Sequence, residues 1–203
     1  TKMLDNIPYF PYILSAFIGI GLAAASGFRV FLPMFAVSLA SYMGWIPMND
    51  HFMWLAGLPT LITTGIATIV EVLAYYIPYV DHLLDTISVP LATVAGSVLF
   101  ASQFADLGTF PTWALALIAG GGTAAAISSG FAGTRAASTA TTGGLGNSVV
   151  ATTETAGAGI MTFLALAAPI IAVIIAIALV VIVFIFGRKL WGKLKRSFTT
   201  ETS

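Results

Sequence analysis

The 203-residue chain is 58% hydrophobic and 8% charged, with a mean hydropathy of +0.98 and no net charge. A soluble domain carries about 25% charged residues, so the composition excludes an ordinary soluble protein and points to a chain held in a bilayer. At ~20 residues per helical span there is room for about five to seven crossings and for no separate soluble domain. Cysteine is absent, which excludes disulfides and thiolate chemistry.

Six hydrophobic segments are expected as helices, over residues 9–45, 53–78, 87–104, 111–135, 149–168 and 170–187. Only helices or closed barrels satisfy the backbone in lipid, and these runs are too long and continuous for barrel strands. The opening TKMLDNIPYFPY has no basic region followed by an A-x-A site, so no cleavable signal peptide is expected in it. The first segment is too long for one straight span of a ~30 Å hydrocarbon core. It must break, tilt or fold back, at Ser26-Gly27-Phe28-Arg29 or at Pro33. Residues 155–187 carry no charge and are again too long, so Pro169 is expected to divide them.

The connections IPMNDHF (46–52) and ADLGTF (105–110) contain Asp50, His51 and Asp106 but no Lys or Arg, and read as outside loops. YVDHLLDT (79–86) and AASTATTGGLGNS (136–148) then lie inside. Five of the eight basic residues, Arg188, Lys189, Lys193, Lys195 and Arg196, fall in the last sixteen positions. Such a patch holds the C-terminus in the cytoplasm against anionic headgroups, and with six spans it places both termini there, whereas one extra crossing in the first segment would move the N-terminus outside. The patch is short and offers only Trp191 and Phe198 for stacking, so nucleic acid is not an expected partner. The domain reading is one transmembrane unit over 1–187 and a basic cytoplasmic tail over 188–203.

Gly27 and Gly133 share an offset of 106 residues with Arg29 and Arg135, and each pair follows a run of small residues. LAYYIP (73–78) also resembles LALAAP (164–169). These echoes suggest two repeats, 9–104 and 111–187. Three spans in each half give the halves opposite orientation, a 3+3 inverted repeat with broken or re-entrant helices around Arg29 and Arg135.

Charges within apolar runs are few: Arg29, Glu71, Asp81, Asp85, Arg135 and Glu154. A lone charge at mid-membrane costs at least ~2.5–3.5 kcal/mol, so such residues persist when paired or facing water. Arg29, Arg135, Glu71 and Glu154, one of each type per half, are the candidate solute-binding residues, with the hydroxyls of Ser26, Thr134 and Ser138 beside them. The bland reading is that the charges only lock helix packing or snorkel to an interface. Asp81 and Asp85 share a helix face at i, i+4, but no further His or Cys cluster completes a metal site with His82, so a solvated interfacial loop is expected there.

The small-residue tract from Gly120 to Gly146 suits close helix packing, and its hydroxyls around Arg135 (Thr134, Ser138, Thr139, Thr141, Thr142) suit a polar cavity or re-entrant turn. GGLGN lacks the lysine of a phosphate loop, and GIGLAAAS lacks the third glycine and preceding strand of a dinucleotide fingerprint. His51 and His82 fall in loops on opposite faces, out of reach of a mid-membrane serine, and paired intramembrane histidines for haem are missing. No enzyme activity, cofactor or metal is expected. The leading functional expectation is a small transporter or channel for a small anionic or polar solute. An accessory or scaffold subunit docking a membrane-protein partner or a second copy is the alternative, and a lipid-handling protein binding phosphate headgroups is the third.

SGFRVFLP and GTRAASTATTGGLGNSVVATTETAG, with EVLAYYIPYVDHLLD between them, resemble a bacterial family of multi-span inner-membrane proteins catalogued as a domain of unknown function. The resemblance covers nearly the whole chain and singles out Gly27, Arg29, Glu71, Pro78, Asp81, Arg135 and Glu154. Where the family pattern implies Asn-Pro after the glycine-rich stretch, this chain has Asn147-Ser148. The resemblance implies a multi-span inner-membrane fold and brings no activity.

Overall fold

The structure is a computed structural model that describes residues 10–77, 80–104 and 108–200, apart from the side chains of His82 and of residues 190–200. Pro78 and Asp106 lie outside the described residues, as do the side chains of Trp191, Lys193, Lys195, Arg196 and Phe198. The helices are α1 (Phe10–Phe28), α2 (Phe31–Tyr42), α3 (Leu58–Ala74), α4 (Val80–Ala101), α5 (Thr109–Leu115), α6 (Gly122–Thr142), α7 (Asn147–Ala167) and α8 (Pro169–Thr200). A 3-10 helix at Asp50–Ala56 precedes α3, and a π-helical turn at Ala116–Gly121 joins α5 to α6. No strand occurs among the described residues. Five helices are long and apolar enough to cross a membrane, or six if the 3-10 helix and α3, bent by 57° at Gly57, count as one span.

The element boundaries follow local chemistry. Asn49 caps the 3-10 helix by accepting the Phe52 N–H at 3.1 Å, and Pro59 sits in the first turn of α3, where its missing N–H is no loss. Pro169 ends α7 and opens α8, as its position predicts. α6 stops at Gly143, whose φ of +64° is the left-handed conformation that favours glycine.

α1 is the central helix. Its buried face is Gly19, Gly21, Leu22, Ala23, Ala24, Ala25, Ser26 and Gly27, and it packs against α4, α6, α7 and α8. Helices in lipid gain little from hydrophobic burial, so close backbone approach through small residues is what holds them together. One close crossing joins α4 to the π-helical turn: a Cβ on Gly120 would lie 2.6 Å from Phe100 Cβ and 2.7 Å from the Gly96 carbonyl oxygen.

These contacts also fix direction. Gly19 faces Phe100 and Ala23 faces Gly96, so α1 and α4 are antiparallel. Gly21 faces Ala165 while Phe28 meets Gly157, so α7 also opposes α1. Gly27 meets Ala124 and Ile127, so α6 runs with α1. Opposite orientation of the two arginine-bearing helices, which an inverted repeat requires, is therefore not met.

The first segment folds back. α1 ends at Phe28, and α2 returns toward the Phe104 end, where Ser38 Oγ donates to the Leu55 carbonyl at 2.6 Å. Folding back was among the outcomes expected of this segment, and the return puts the two ends of the chain on opposite sides rather than on one. α8 runs with α1, Ala172 beside Gly21 and Val183 beside Gly130, so Phe10 and the exit of α8 lie at opposite ends of the bundle. Two expected loops are helix instead: 79–86 falls largely in α4, and α6 carries 136–142, leaving a turn at 143–146. α8 likewise continues through Arg188 and Lys189, so the expected tail begins as helix.

Candidate functional site

The reversal between α1 and α2 leaves the first N–H groups of α2 without helical partners. Val30, at the cap position, offers no side-chain acceptor, and Glu71 of α3 supplies one from outside. Its Oε1 accepts from Val30 N at 2.8 Å and its Oε2 from Phe31 N at 3.0 Å. Glu71 is thus the cap of a broken helix, placed on the positive end of that helix.

Arg29, 1% exposed, turns away from Glu71 toward α7. Its Nε donates to Thr155 Oγ1 at 3.2 Å, its Nη2 to the Ala151 carbonyl at 2.9 Å, and Nη2 lies 3.4 Å from Glu154 Oε2. Glu154, fully buried, reaches the second arginine with its other oxygen: Arg135 Nη2 donates to Glu154 Oε1. Arg135 Nη1 donates to Asp85 Oδ1 at 2.6 Å. Between the two guanidiniums lies Tyr75, with Arg29 Cζ 4.0 Å and Arg135 Cζ 4.1 Å from its ring centroid. A π face attracts a cation, so one ring shields two like charges from each other.

Asp81, 5% exposed, accepts from Asn147 Nδ2 at 2.9 Å, and the same Nδ2 lies 3.1 Å from Thr139 Oγ1. Five ionisable residues from five elements therefore meet, Arg29 at the reversal, Glu71 on α3, Asp85 on α4, Arg135 on α6 and Glu154 on α7, and Asp81 of α4 is tied to α7 through Asn147. The ends of α1, α3 and α6 and the starts of α4 and α7 share one end of the bundle. The cluster lies toward that end, with Glu154 about 10 Å along α7. Among the described residues no group of three His, Cys, Asp or Glu side chains has the arrangement of a metal site.

Arg29, Glu71, Arg135 and Glu154 are brought together as expected, and Arg29 is held by Glu154 and a second-half hydroxyl. The helix break expected at Arg135 is absent, because α6 runs through it. Asp81 and Asp85 are corrected from a solvated loop to helical members of the cluster, Asp81 buried and Asp85 half-buried. Of the expected hydroxyls, Ser26 donates to Leu22 O at 3.1 Å and Thr134 to Gly130 O at 2.9 Å, both within their own helices. Ser138 Oγ pairs with Thr142 Oγ1 at 3.4 Å. Tyr75 and Asn147 were not anticipated. Tyr75 had a signal, since it follows Glu71 at i, i+4 and so shares its face.

Four buried atoms at the site have no hydrogen-bond partner: Arg29 Nη1, Arg135 Nε and Glu154 Oε2 among the ion pairs, and Asn147 Oδ1 beside Asp81. A crevice of about 150 Å³ between α2, α3 and α4 reaches the cluster, with Glu71, Tyr75 and Ser88 set among Phe31, Ile87 and Leu91. A larger cavity of about 370 Å³ lies at the other end, beside Phe52, Trp54 and Trp113. Its amide Asn49 is already engaged by Phe104 O and Phe52 N.

No curated protein and no solved structure matches this chain. Residues 16–189 match the family described as a domain of unknown function, DUF4126. That match covers α2 to α7 in full, most of α1 and α8, and every residue of the cluster, and the chain is a membrane-type helical bundle belonging to the DUF4126 family.

Proposed function

We propose that this protein is a small transporter or channel of the bacterial inner membrane that carries a small anionic or polar solute through the Arg29–Arg135–Glu154 cluster. The observation that carries the reading is the trio of orphaned atoms among the ion pairs. Buried polar atoms are nearly always hydrogen-bonded, and two guanidinium donors left open beside one carboxylate oxygen are what a polar solute needs. Arg188 and Lys189 lie on α8 at the cluster end, and the positive-inside bias puts that end in the cytoplasm. On this reading Phe10 starts on the outer side, and no chemical step takes place.

The accessory-subunit reading draws on a different observation: Arg135 already has two carboxylate partners, as a structural lock would. Reconstitution separates the two. Sealed liposomes are loaded with the protein and offered labelled anions, cations, neutral solutes and lipids. Arg29→Lys and Arg135→Lys, checked for fold by gel filtration, are compared with the native chain. Lysine keeps the charge but not the planar fork. Hydrogen bonds to charged groups are worth ~1.5–3 kcal/mol, so a loss of about tenfold or more in flux is expected. A native protein that moves no member of the panel, with variants that only melt earlier, would instead favour the lock.

A further inference from the structure

We propose that the cavity at the end of the bundle away from the ionic cluster is a binding site for a small organic ammonium ion. Its volume is about 370 Å³, within the range of about 300–1,000 Å³ usual for small-ligand pockets. Four aromatic rings from three parts of the chain line it: Phe52 and Trp54 of the 3-10 helix, Phe104 after α4, and Trp113 of α5. Phe52 and Phe104 are buried and also belong to the apolar core on which that end closes, whereas Trp54 and Trp113 are exposed. Tryptophans at a membrane interface are common as anchors among lipid headgroups. These two line a cavity instead.

What the cavity can recognise follows from which of its groups are free. Asn49 donates to the Phe104 carbonyl and accepts from Phe52 N–H, and Thr112 Oγ1 donates to the Gly108 carbonyl at 2.7 Å. These bonds hold the walls, and they leave only the exposed His51 and Thr109 for a hydroxyl on the ligand. A sugar, read by many hydrogen bonds, finds few partners there. Ring faces are what the site offers, and a cation within about 6 Å of a ring centroid is attracted by the ring quadrupole, most strongly by tryptophan. The centroids of Phe52 and Trp113 stand 6.1 Å apart with the planes inclined at 42°, so the two rings are not stacked face on face.

Charge points the same way. Among the described residues, the cavity end carries Asp50, in the first turn of the 3-10 helix, and no Lys or Arg. Arg29, Arg135 and the basic residues of α8 from Arg188 onward lie at or beyond the other end. An anion at the cavity would find no guanidinium or lysine to pair with. An ammonium ion meets four rings and a nearby carboxylate.

Choline is the probe, because dimethylbutanol has the same shape without the charge. The full chain, purified in detergent, is titrated with each and read by calorimetry and by the change in tryptophan fluorescence. Saturable binding of choline, at least about tenfold tighter than that of dimethylbutanol, is expected. Equal affinity for the two overturns the proposal, as does the absence of choline binding. Trp113→Leu keeps an apolar wall and removes a ring face, and should weaken choline about tenfold while moving dimethylbutanol by less than about twofold. Trp54→Leu serves where the first variant does not fold. A folded variant of either kind that binds choline as the native chain does places the cation off the rings and overturns the site. The same titration in phosphatidylglycerol nanodiscs, with and without phosphatidylethanolamine, identifies the source of the ammonium group. Choline binding lost in the presence of the ethanolamine lipid assigns the site to a lipid headgroup, and binding that persists assigns it to a free cation.

Discussion

Glu71 uses both carboxylate oxygens on the first N–H groups of α2, at 2.8 and 3.0 Å, and this role has a measurable consequence. Glu71→Gln keeps the shape but offers one oxygen, and its amide group brings a donor up to a donor. One buried N–H is left unsatisfied, at about 1–3 kcal/mol. We expect stability in detergent to fall by about 2 kcal/mol, read as an earlier thermal transition by circular dichroism. Thr134→Val is the contrast: its hydroxyl is exposed and bonded only within α6, and a change within about 0.5 kcal/mol is expected. At this scale the sequence disclosed which charges matter, because each stood alone in an apolar run. It did not disclose their pairing. Glu71 pairs with a helix end rather than with an arginine because the chain reverses at Arg29; the stretch from Ser26 to Pro33 marked where the first segment breaks, as expected, but not which side chain would cap the new helix. Tyr75 and Asn147 escaped for a related reason: an aromatic or an amide near a helix end has ordinary uses in a membrane protein.

Among the helices, contact through small residues decides what can change. Gly120 lies where the π-helical turn crosses α4, and an added Cβ meets Phe100 Cβ at 2.6 Å and Gly96 O at 2.7 Å. Backbone and Cβ atoms cannot swing aside, so Gly120→Ala should destabilise by about 1–3 kcal/mol, the range for overpacking. Gly159, within α7, has nothing within 4 Å of the position a Cβ would occupy. There the helix preference of alanine acts unopposed, and Gly159→Ala should stabilise by up to ~1 kcal/mol. Denaturant titrations of the two variants in the same detergent compare the signs. Equal signs would mean that the α4 crossing is not as close as described. The run from Gly120 to Gly146 was legible as a packing surface, and most of it is one. Its polar half misled, because Ser and Thr in a membrane helix satisfy themselves on the preceding turn, as Thr134, Thr141 and Thr142 do. Hydroxyl density near an arginine therefore did not mark a break in α6.

Topology belongs to the whole molecule, and the length of α2 controls it. Twelve residues reach about 18 Å, short of the ~30 Å core, so a hydropathy reading merges α2 with α1 and counts one crossing. The bundle nevertheless returns through α2 to the Phe104 end, and this return separates the start of α1 from the exit of α8. The chain has no cysteine, so single cysteines can be introduced without background. Trp45, 72% exposed, marks the end where α2 stops, and Leu145, 85% exposed, marks the turn after α6. Tyr12 lies in the first turn of α1. In intact cells a membrane-impermeant maleimide should label Tyr12→Cys and Trp45→Cys, and label Leu145→Cys only after permeabilisation. Labelling of Tyr12→Cys together with Leu145→Cys would mean that α1 does not run from the Trp45 end to the cluster. The distinction bears on transport, because the two ends differ in kind. The Leu145 end holds the ionic cluster about 10 Å below it, whereas the Trp45 end closes on the core of Phe52, Leu55, Phe100 and Phe104. On the transport reading proposed above, a solute at Arg29 lies about 10 Å from one end and behind the apolar core of Phe52, Leu55, Phe100 and Phe104 from the other, and that core is what opens for the solute to pass.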